Sequence, residues 1–311
     1  MTERAGEIAA LLASLSWAIG SLVFSGVRAA PFALNLFKNS LAALLFFASL
    51  AVLTLGFGRP VPRPAATSLG WLALSSFIGL VIGDTFYFRS LQALGPRRAL
   101  VLTTLAPTLA AALGWWTFGE TLPAAAMLGI AATLLGVAWV VRVREGACEG
   151  EERTGTAMAV ACGFLAALCQ AVGAVCTKLG MNDLDPLEAS FVRLVFAAAA
   201  GLLLALAAGR FRAFSRDLFA PGVPLRLAAA SACGTYGGIW LSLIAFKHSR
   251  LAIATTLTSL SPIFVIPIIW LFLGQRTRLA GILGAALAVS GVAILFWAAG
   301  GPPGTENAAG P

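Results

Sequence analysis

The hydrophobic positions of this chain do not alternate, and they do not fall on one stripe of a helix. They come in long unbroken runs separated by short polar interruptions. Such runs can be marked near 7–26, 32–55, 69–94, 99–118, 122–141, 157–178, 188–208, 225–247, 252–273 and 279–298. Crossing the hydrocarbon core of a bilayer takes roughly 20 mainly apolar residues as a helix. With no water in that core, every backbone amide must be paired within the segment, and runs of this length suit helices rather than the short alternating strands of a barrel. The pattern therefore predicts an all-α integral membrane protein with ten transmembrane helices. Arg4 ahead of the first run gives it the look of a signal peptide. It lacks a small-residue cleavage site and has a counterpart later in the chain, so it reads as a retained span.

Composition agrees: 59% of residues are hydrophobic, 11% are charged and the mean hydropathy is +0.91. The net charge of +8 is dispersed over loops rather than gathered into a motif, so it predicts no nucleic-acid partner. Five cysteines without a CxxC pair, and one histidine, predict no metal and no cofactor. Cys162, Cys169 and Cys176 recur every seven residues along one face and read as small packing side chains.

The runs are also duplicated. LAPTLAAALGWWTFGE at 105–120 returns 155 positions later as LSPIFVIPIIWLFLGQ at 260–275. In that register Pro107 falls on Pro262, Trp115 on Trp270, Gly119 on Gly274, Gly129 on Gly284, Gly136 on Gly291 and Gly83 on Gly238. Pro31 and Lys38 fall on Pro186 and Arg193, and Gly20 meets Gly173 at an offset of 153. The chain divides into a first five-helix repeat (1–143), a charged linker (144–155), a second repeat (156–298) and a flexible tail (299–311). Two copies of an odd-numbered bundle joined by a short loop enter the membrane from opposite sides. That predicts two inverted five-helix repeats, the architecture of carriers that alternate access around a midplane site.

The order of these features resembles the EamA family of the drug/metabolite transporter superfamily. The span-4 proline, the aromatic run and the Gly-Glu turn (Pro107, Trp115, Trp116, Gly119, Glu120), followed by LGIAATLLGVAWV at 128–140, carry the resemblance over about residues 7–298. In the second half Gln275 stands where the family usually carries Glu. The resemblance implies a secondary exporter of small metabolites, amino-acid-like or toxic, with a cavity lined by spans 1–4 and 6–9. It also implies that spans 5 and 10 are peripheral, and their small residues (Ala125, Gly129, Ala132, Gly136 and Ala280, Gly284, Ala288, Gly291) independently suit close helix packing.

Charges inside spans are expensive and point to cavities or partners. Lys38 and Arg193 sit at equivalent positions and are candidates to attract an anionic group; the alternative is that each snorkels to the interface. Asp84 and Arg89 in span 3 break the symmetry, their counterparts being Ile239 and Ile244. Five residues apart, they stand about 140° from one another on a helix and cannot share a face. Asp84 is expected to reach Lys38 or another helix, as a proton relay or as a static ion pair. Asn35, Asn39, Tyr87, Gln92, Gln170 and Tyr236 complete the candidate substrate-binding set with Lys38, Asp84, Arg89 and Arg193, alongside Thr and Ser residues near Pro107 and Pro262. Many such hydroxyls only bond their own backbone. Pro107 and Pro262 each remove an amide donor and are the candidate gating points.

The expected partners are a small-molecule substrate, the lipid bilayer of the cell (inner) membrane, and protons as the candidate coupling ion; oligomeric state is not legible. Basic residues in loops number six on the side of the termini and twelve opposite, which places the termini outside, whereas the resemblance implies cytoplasmic termini; sidedness stays open. Rival readings are a passive channel or facilitator and, further off, an integral membrane enzyme, which would need a base, nucleophile or metal that His248 alone does not supply. No phosphate-binding loop is present to drive ATP-dependent pumping.

Overall fold

The structure, a computed structural model, describes residues 3–27, 29–58, 64–118, 123–142, 153–180, 184–219, 222–248, 257–274 and 279–299. The Gly-Glu turn at Gly119 and Glu120, Gln275, the linker up to 152 and the tail beyond 299 lie outside the described residues. All regular structure among the described residues is helical: α1 Glu3–Ser25, α2 Pro31–Phe57, α3 Ala66–Ser75, a π-helical stretch Ser76–Gly83, α4 Asp84–Thr103, α5 Leu105–Phe118 and α6 Ala124–Arg142. The second half follows with α7 Arg153–Gly180, α8 Pro186–Ala207, α9 Phe211–Leu218, α10 Val223–Ala230, a second π-helical stretch Ser231–Gly237, α11 Gly238–His248, α12 Ser261–Leu273 and α13 Leu279–Ala299.

Polarity is inverted relative to a soluble protein. Leu55, Trp116 and Trp297 stand 87%, 80% and 78% exposed, while Asn35, Lys38, Asn39 and Asp84 are buried. Only a hydrocarbon surrounding makes that arrangement favourable, because it removes the penalty on outward apolar surface and raises the one on outward charge. Among the described residues seven helical stretches are long and apolar enough to cross a membrane, and α12 and α13 add two shorter apolar ones. This is a multi-pass integral membrane protein.

One of the seven stretches, Ala66–Ala110, is 45 residues long. At 1.5 Å per residue it would extend over about 68 Å if straight, twice a bilayer core. It is broken at Gly95, whose φ of 78° and ψ of 166° suit a residue without a Cβ, and Pro96 starts the next turn. Ser90 and Leu102 both lie against Gly163, so the chain folds back here as a hairpin. The sequence pattern starts its fourth apolar run at 99; helix resumes directly after Gly95 because Pro96 needs no amide partner in a first turn.

Local chemistry explains other ends. Asp185 caps α8 reciprocally with Glu188, and Pro186 occupies the first turn, where a missing N–H costs nothing. Gly58 and Gly274 take left-handed φ at the ends of α2 and α12. The short helix α9 lies in a stretch that hydrophobic pattern alone marks as loop, since eight residues with Arg212 and Arg216 do not form an apolar run.

The two halves meet through glycine. A Cβ on Gly129 would strike Gly291 and Leu295, and one on Gly136 would strike Gly284 and Ala288. Numbering thus rises along α6 as it falls along α13, so these equivalent helices are antiparallel. Helices α2 and α8 behave alike, Leu36 lying on Gly201 while Phe47 faces Phe191 at 6.0 Å between ring centroids. The same exchange joins non-equivalent helices: a Cβ on Gly20 of α1 would come within 2.8 Å of Gly234 Cα, and one on Gly173 of α7 within 3.1 Å of Gly79 Cα. Gly79 and Gly234 are 155 residues apart and each sits in a π-helical stretch. Each half therefore inserts its first helix against the other half's wide-turned helix.

Candidate functional site

Between the halves lies a cavity of about 420 Å³. Its lining comes from α1 (Trp17, Gly20, Ser21, Phe24), α2 (Lys38), the first wide turn and α4 (Leu80, Asp84, Tyr87, Phe88, Leu100, Thr103) and α5 (Ala106, Pro107). From the second half come Gln170 of α7, Arg193 of α8, Gly234, Thr235 and Ile239, then Thr258, Ser259, Ser261 and Pro262. Helices α6 and α13 contribute no described lining residue; their faces are spent on one another.

The wide turns account for how charge reaches this space. A π-helical stretch inserts extra residues into the helical register and rotates everything that follows. The first ends at Gly83, so the next residue, Asp84, opens α4 and is turned inward. Widening also loosens carbonyls from the helical ladder, and α2 supplies their partner. Asn35 Nδ2 donates to Leu80 O at 2.6 Å, to Val81 O at 3.0 Å and to Thr85 Oγ1 at 3.1 Å. Asn39 Nδ2 donates to Asn35 Oδ1 at 3.0 Å and holds that amide in place.

At the centre, Lys38 Nζ pairs with Asp84 Oδ2 as a buried ion pair, the two side chains 10% and 8% exposed. Gln170 Nε2 donates to the other oxygen, Asp84 Oδ1, at 2.8 Å. Three helices from both halves thereby converge on one carboxylate whose two oxygens are both engaged. Lys38 Nζ also stands 5.8 Å over the Phe88 ring, a geometry in which the ring face attracts the ammonium. On the wall formed by α1, Ser21 Oγ donates to Trp17 O at 2.7 Å, so its contact with Tyr87 Oη at 2.7 Å has the phenol as donor. Ser14 and Ser261 meet at 3.1 Å and tie α1 to α12.

Arg193 is the third charge. It lines the cavity from α8, and its Nη2 would stand 3.6 Å from a Cβ placed on Gly79. Its Nε is buried without a hydrogen-bond partner among the described residues.

Of the residues singled out from sequence, Lys38, Asp84, Tyr87, Gln170 and Arg193 come together around the cavity, with Pro107 of the first half and Pro262 of the second also in its lining. The other five stand elsewhere. Asn35 and Asn39 serve the wide turn. Tyr236 hydrogen-bonds Ser49 at 2.7 Å and packs edge-on against Phe46 and Trp240. Gln92 holds the α1–α2 connection through Ala29 O at 2.8 Å, and Arg89 is exposed on the outer face of α4. Sequence reasoning missed the contribution of α1: Trp17, Ser21 and Phe24 recur at helical spacing, but polar content alone did not flag them.

Pro107 and Pro262 act at helix starts, whereas Pro267 lies inside α12. Pro107 cannot donate to Thr103 O, and the helix breaks at Thr104, whose N–H bonds Val101 O at 3.1 Å. In the second half the break falls at Ser259 and Leu260, just before Pro262, and Ile263 N–H bonds Leu260 O at 2.8 Å. Thr104 and Ser259 are again 155 apart.

A search of curated proteins returned no match. Among solved structures, one described only as the crystal structure of a protein superposes with a TM-score of 0.63 at 18% identity, over 94% of this chain and 96% of that one; at that identity it supports the fold alone. The model of the EamA-like transporter family matches residues 4–142 and again 157–297, one copy in each half. The match over both copies of the duplicated helical unit, with a cavity between them, establishes that the chain belongs to the EamA-like transporter family.

Proposed function

We propose that this protein is a secondary carrier that exports small organic metabolites, amino-acid-like or amphipathic, across the cell (inner) membrane and catalyses no covalent reaction. On this reading ten helices cross the bilayer. The hairpin at Gly95 divides the 45-residue stretch into two crossings, and α12 and α13 add the last two. The halves are inverted, as the antiparallel contacts of α6 with α13 and of α2 with α8 support. Alternating access then consists of each half rocking about the glycine contacts Gly20–Gly234 and Gly79–Gly173, where bare backbone lets helices slide.

The observation that carries the reading is the cavity itself, walled by helices of both halves and holding paired charges away from lipid. Its apolar walls and few convergent polar groups are what a small-molecule site needs. Proton coupling enters through Asp84, the one carboxylate among the described lining residues: protonation would remove the charge that holds Lys38 and weaken a junction of three helices from both halves.

Counterflow in proteoliposomes against a panel of amino acids and amphipathic acids and amines, with and without a pH gradient, tests it. Accumulation of labelled solute driven by excess unlabelled solute inside is expected. Flux that only equilibrates would identify a channel, and Asp84→Asn with pH-driven uptake unchanged would remove the relay role.

A further inference from the structure

Charge in the cavity does not balance. Lys38 is neutralised by Asp84, both of whose oxygens are occupied. Arg193 occupies the equivalent position in the second half, but where Asp84 stands in the first half the second offers Ile239, which lines the same cavity. Among the described lining residues Lys38, Asp84 and Arg193 are the charged ones, leaving one positive charge. The twofold relation thus supplies two cations and only one anion.

Arg193 feels Asp84, but that carboxylate is already engaged by Lys38 and Gln170, and Arg193 Nε has no hydrogen-bond partner among the described residues; a buried cation so under-compensated has something to gain when an anion arrives. The neighbouring geometry suits an arriving oxyanion. Gly79 has no side chain where the guanidinium lies, and Nε is buried and unbonded among the described residues. A guanidinium presents N–H groups in a planar fork that matches a carboxylate. The walls nearby are aromatic, with Trp17, Phe24 and Phe88.

We propose that the transported solute carries a net negative charge, as an apolar or aromatic body bearing one carboxylate-like group, and that Arg193 binds that group. This rests on the reading of the cavity as the solute site. A zwitterion is second best, because its ammonium would have to displace Lys38 from an acid that is already fully engaged.

The test uses the full-length protein in detergent with three probes of one shape: 3-phenylpropionate, its amide 3-phenylpropionamide, and phenylalanine. Ligand-induced shift of the melting temperature over a concentration series gives the affinities. The wild type is expected to bind the acid about tenfold or more tighter than the amide, as a charge-assisted pair requires, and tighter than phenylalanine. Arg193→Gln should bring acid and amide within about twofold, and Arg193→Lys, which keeps the charge but not the fork, should retain part of the preference. Equal binding of acid and amide, no binding of the acid, phenylalanine binding as well as the acid, or a preference that survives in Arg193→Gln would each overturn the assignment. Counterflow separates this from the carrier reading. Exchange of amide or zwitterion without acid preference keeps the carrier and discards the anion site. Arginine-dependent acid binding without any exchange keeps the site and discards the carrier.

Discussion

Substituting Gly136 with Ala probes the contact between α6 and α13. The new Cβ would strike Ala288 N most closely and lie 2.7 Å from both Ala288 Cα and Gly284 O, where ordinary contact begins at 3.4 Å, so the helices must separate by at least about 0.7 Å. Thr133 Oγ1 donates to Ala288 O across the same seam at 3.3 Å, and that separation stretches it to about 4.0 Å, past hydrogen-bonding range. Between lipid-embedded helices there is no hydrophobic drive to offset the loss, since stability comes from packing and such bonds. Overpacking of this kind costs about 1–3 kcal/mol. Unfolding in mixed micelles of increasing SDS fraction, followed by far-ultraviolet circular dichroism, should show that loss. Transport per folded molecule should stay within about twofold, because neither helix lines the cavity. A change below about 0.5 kcal/mol would refute the close-packed seam, and transport lost at full stability would refute the scaffold role of these helices.

Three further outcomes follow from the cavity and its supports. Lys38→Met or Asp84→Leu alone should cost about 3–5 kcal/mol in the same unfolding assay, because each strands a buried charge, while the double variant should recover most of it. Asn35→Ala removes the amide that donates to both Leu80 O and Val81 O, leaving Val81 O with Thr85 Oγ1 and Leu80 O with only the 3.5 Å contact from Asn39 Nδ2, and should cost about 1–3 kcal/mol, with amide exchange rising around Ser76–Gly83. Pro262→Ala restores an amide beside the break at Ser259 and Leu260 and should slow counterflow at unchanged expression; unaltered flux would count against a gating role.

How much of this was legible beforehand depends on what each signal encodes. Long apolar runs report lipid directly, so the membrane class and the helical character could be read off; helix ends were less legible, as at Gly95, where a glycine and a proline set the break within one apolar stretch. The 155-residue register could be read because glycine and proline sit where backbones touch or break, and those demands recur in both halves. Which face of a span meets the cavity was harder. Asn35 and Lys38 are three residues apart on α2 and share a side, yet one serves a neighbouring helix and the other the cavity. The separation of Asp84 from Arg89 by about 140° was sound and leaves one buried and the other exposed. What no periodicity reveals is the pair of wide turns at Ser76–Gly83 and Ser231–Gly237, since extra residues per turn leave the composition unchanged while rotating every later side chain. The role of α1 escaped notice for a related reason: Trp17 and Phe24 look like lipid-facing residues until the other half is in place.

The most direct test of the central proposal uses Thr103 and Thr258, cavity residues 155 positions apart on opposite halves. In a background with the five native cysteines replaced, Thr103→Cys and Thr258→Cys would be labelled by a membrane-impermeant thiol reagent applied to either face of oriented vesicles. The account predicts that each site is reached from both faces, and that a saturating solute raises labelling from one face as it lowers labelling from the other. Labelling confined to a single face, or rising and falling on both faces together, would contradict it.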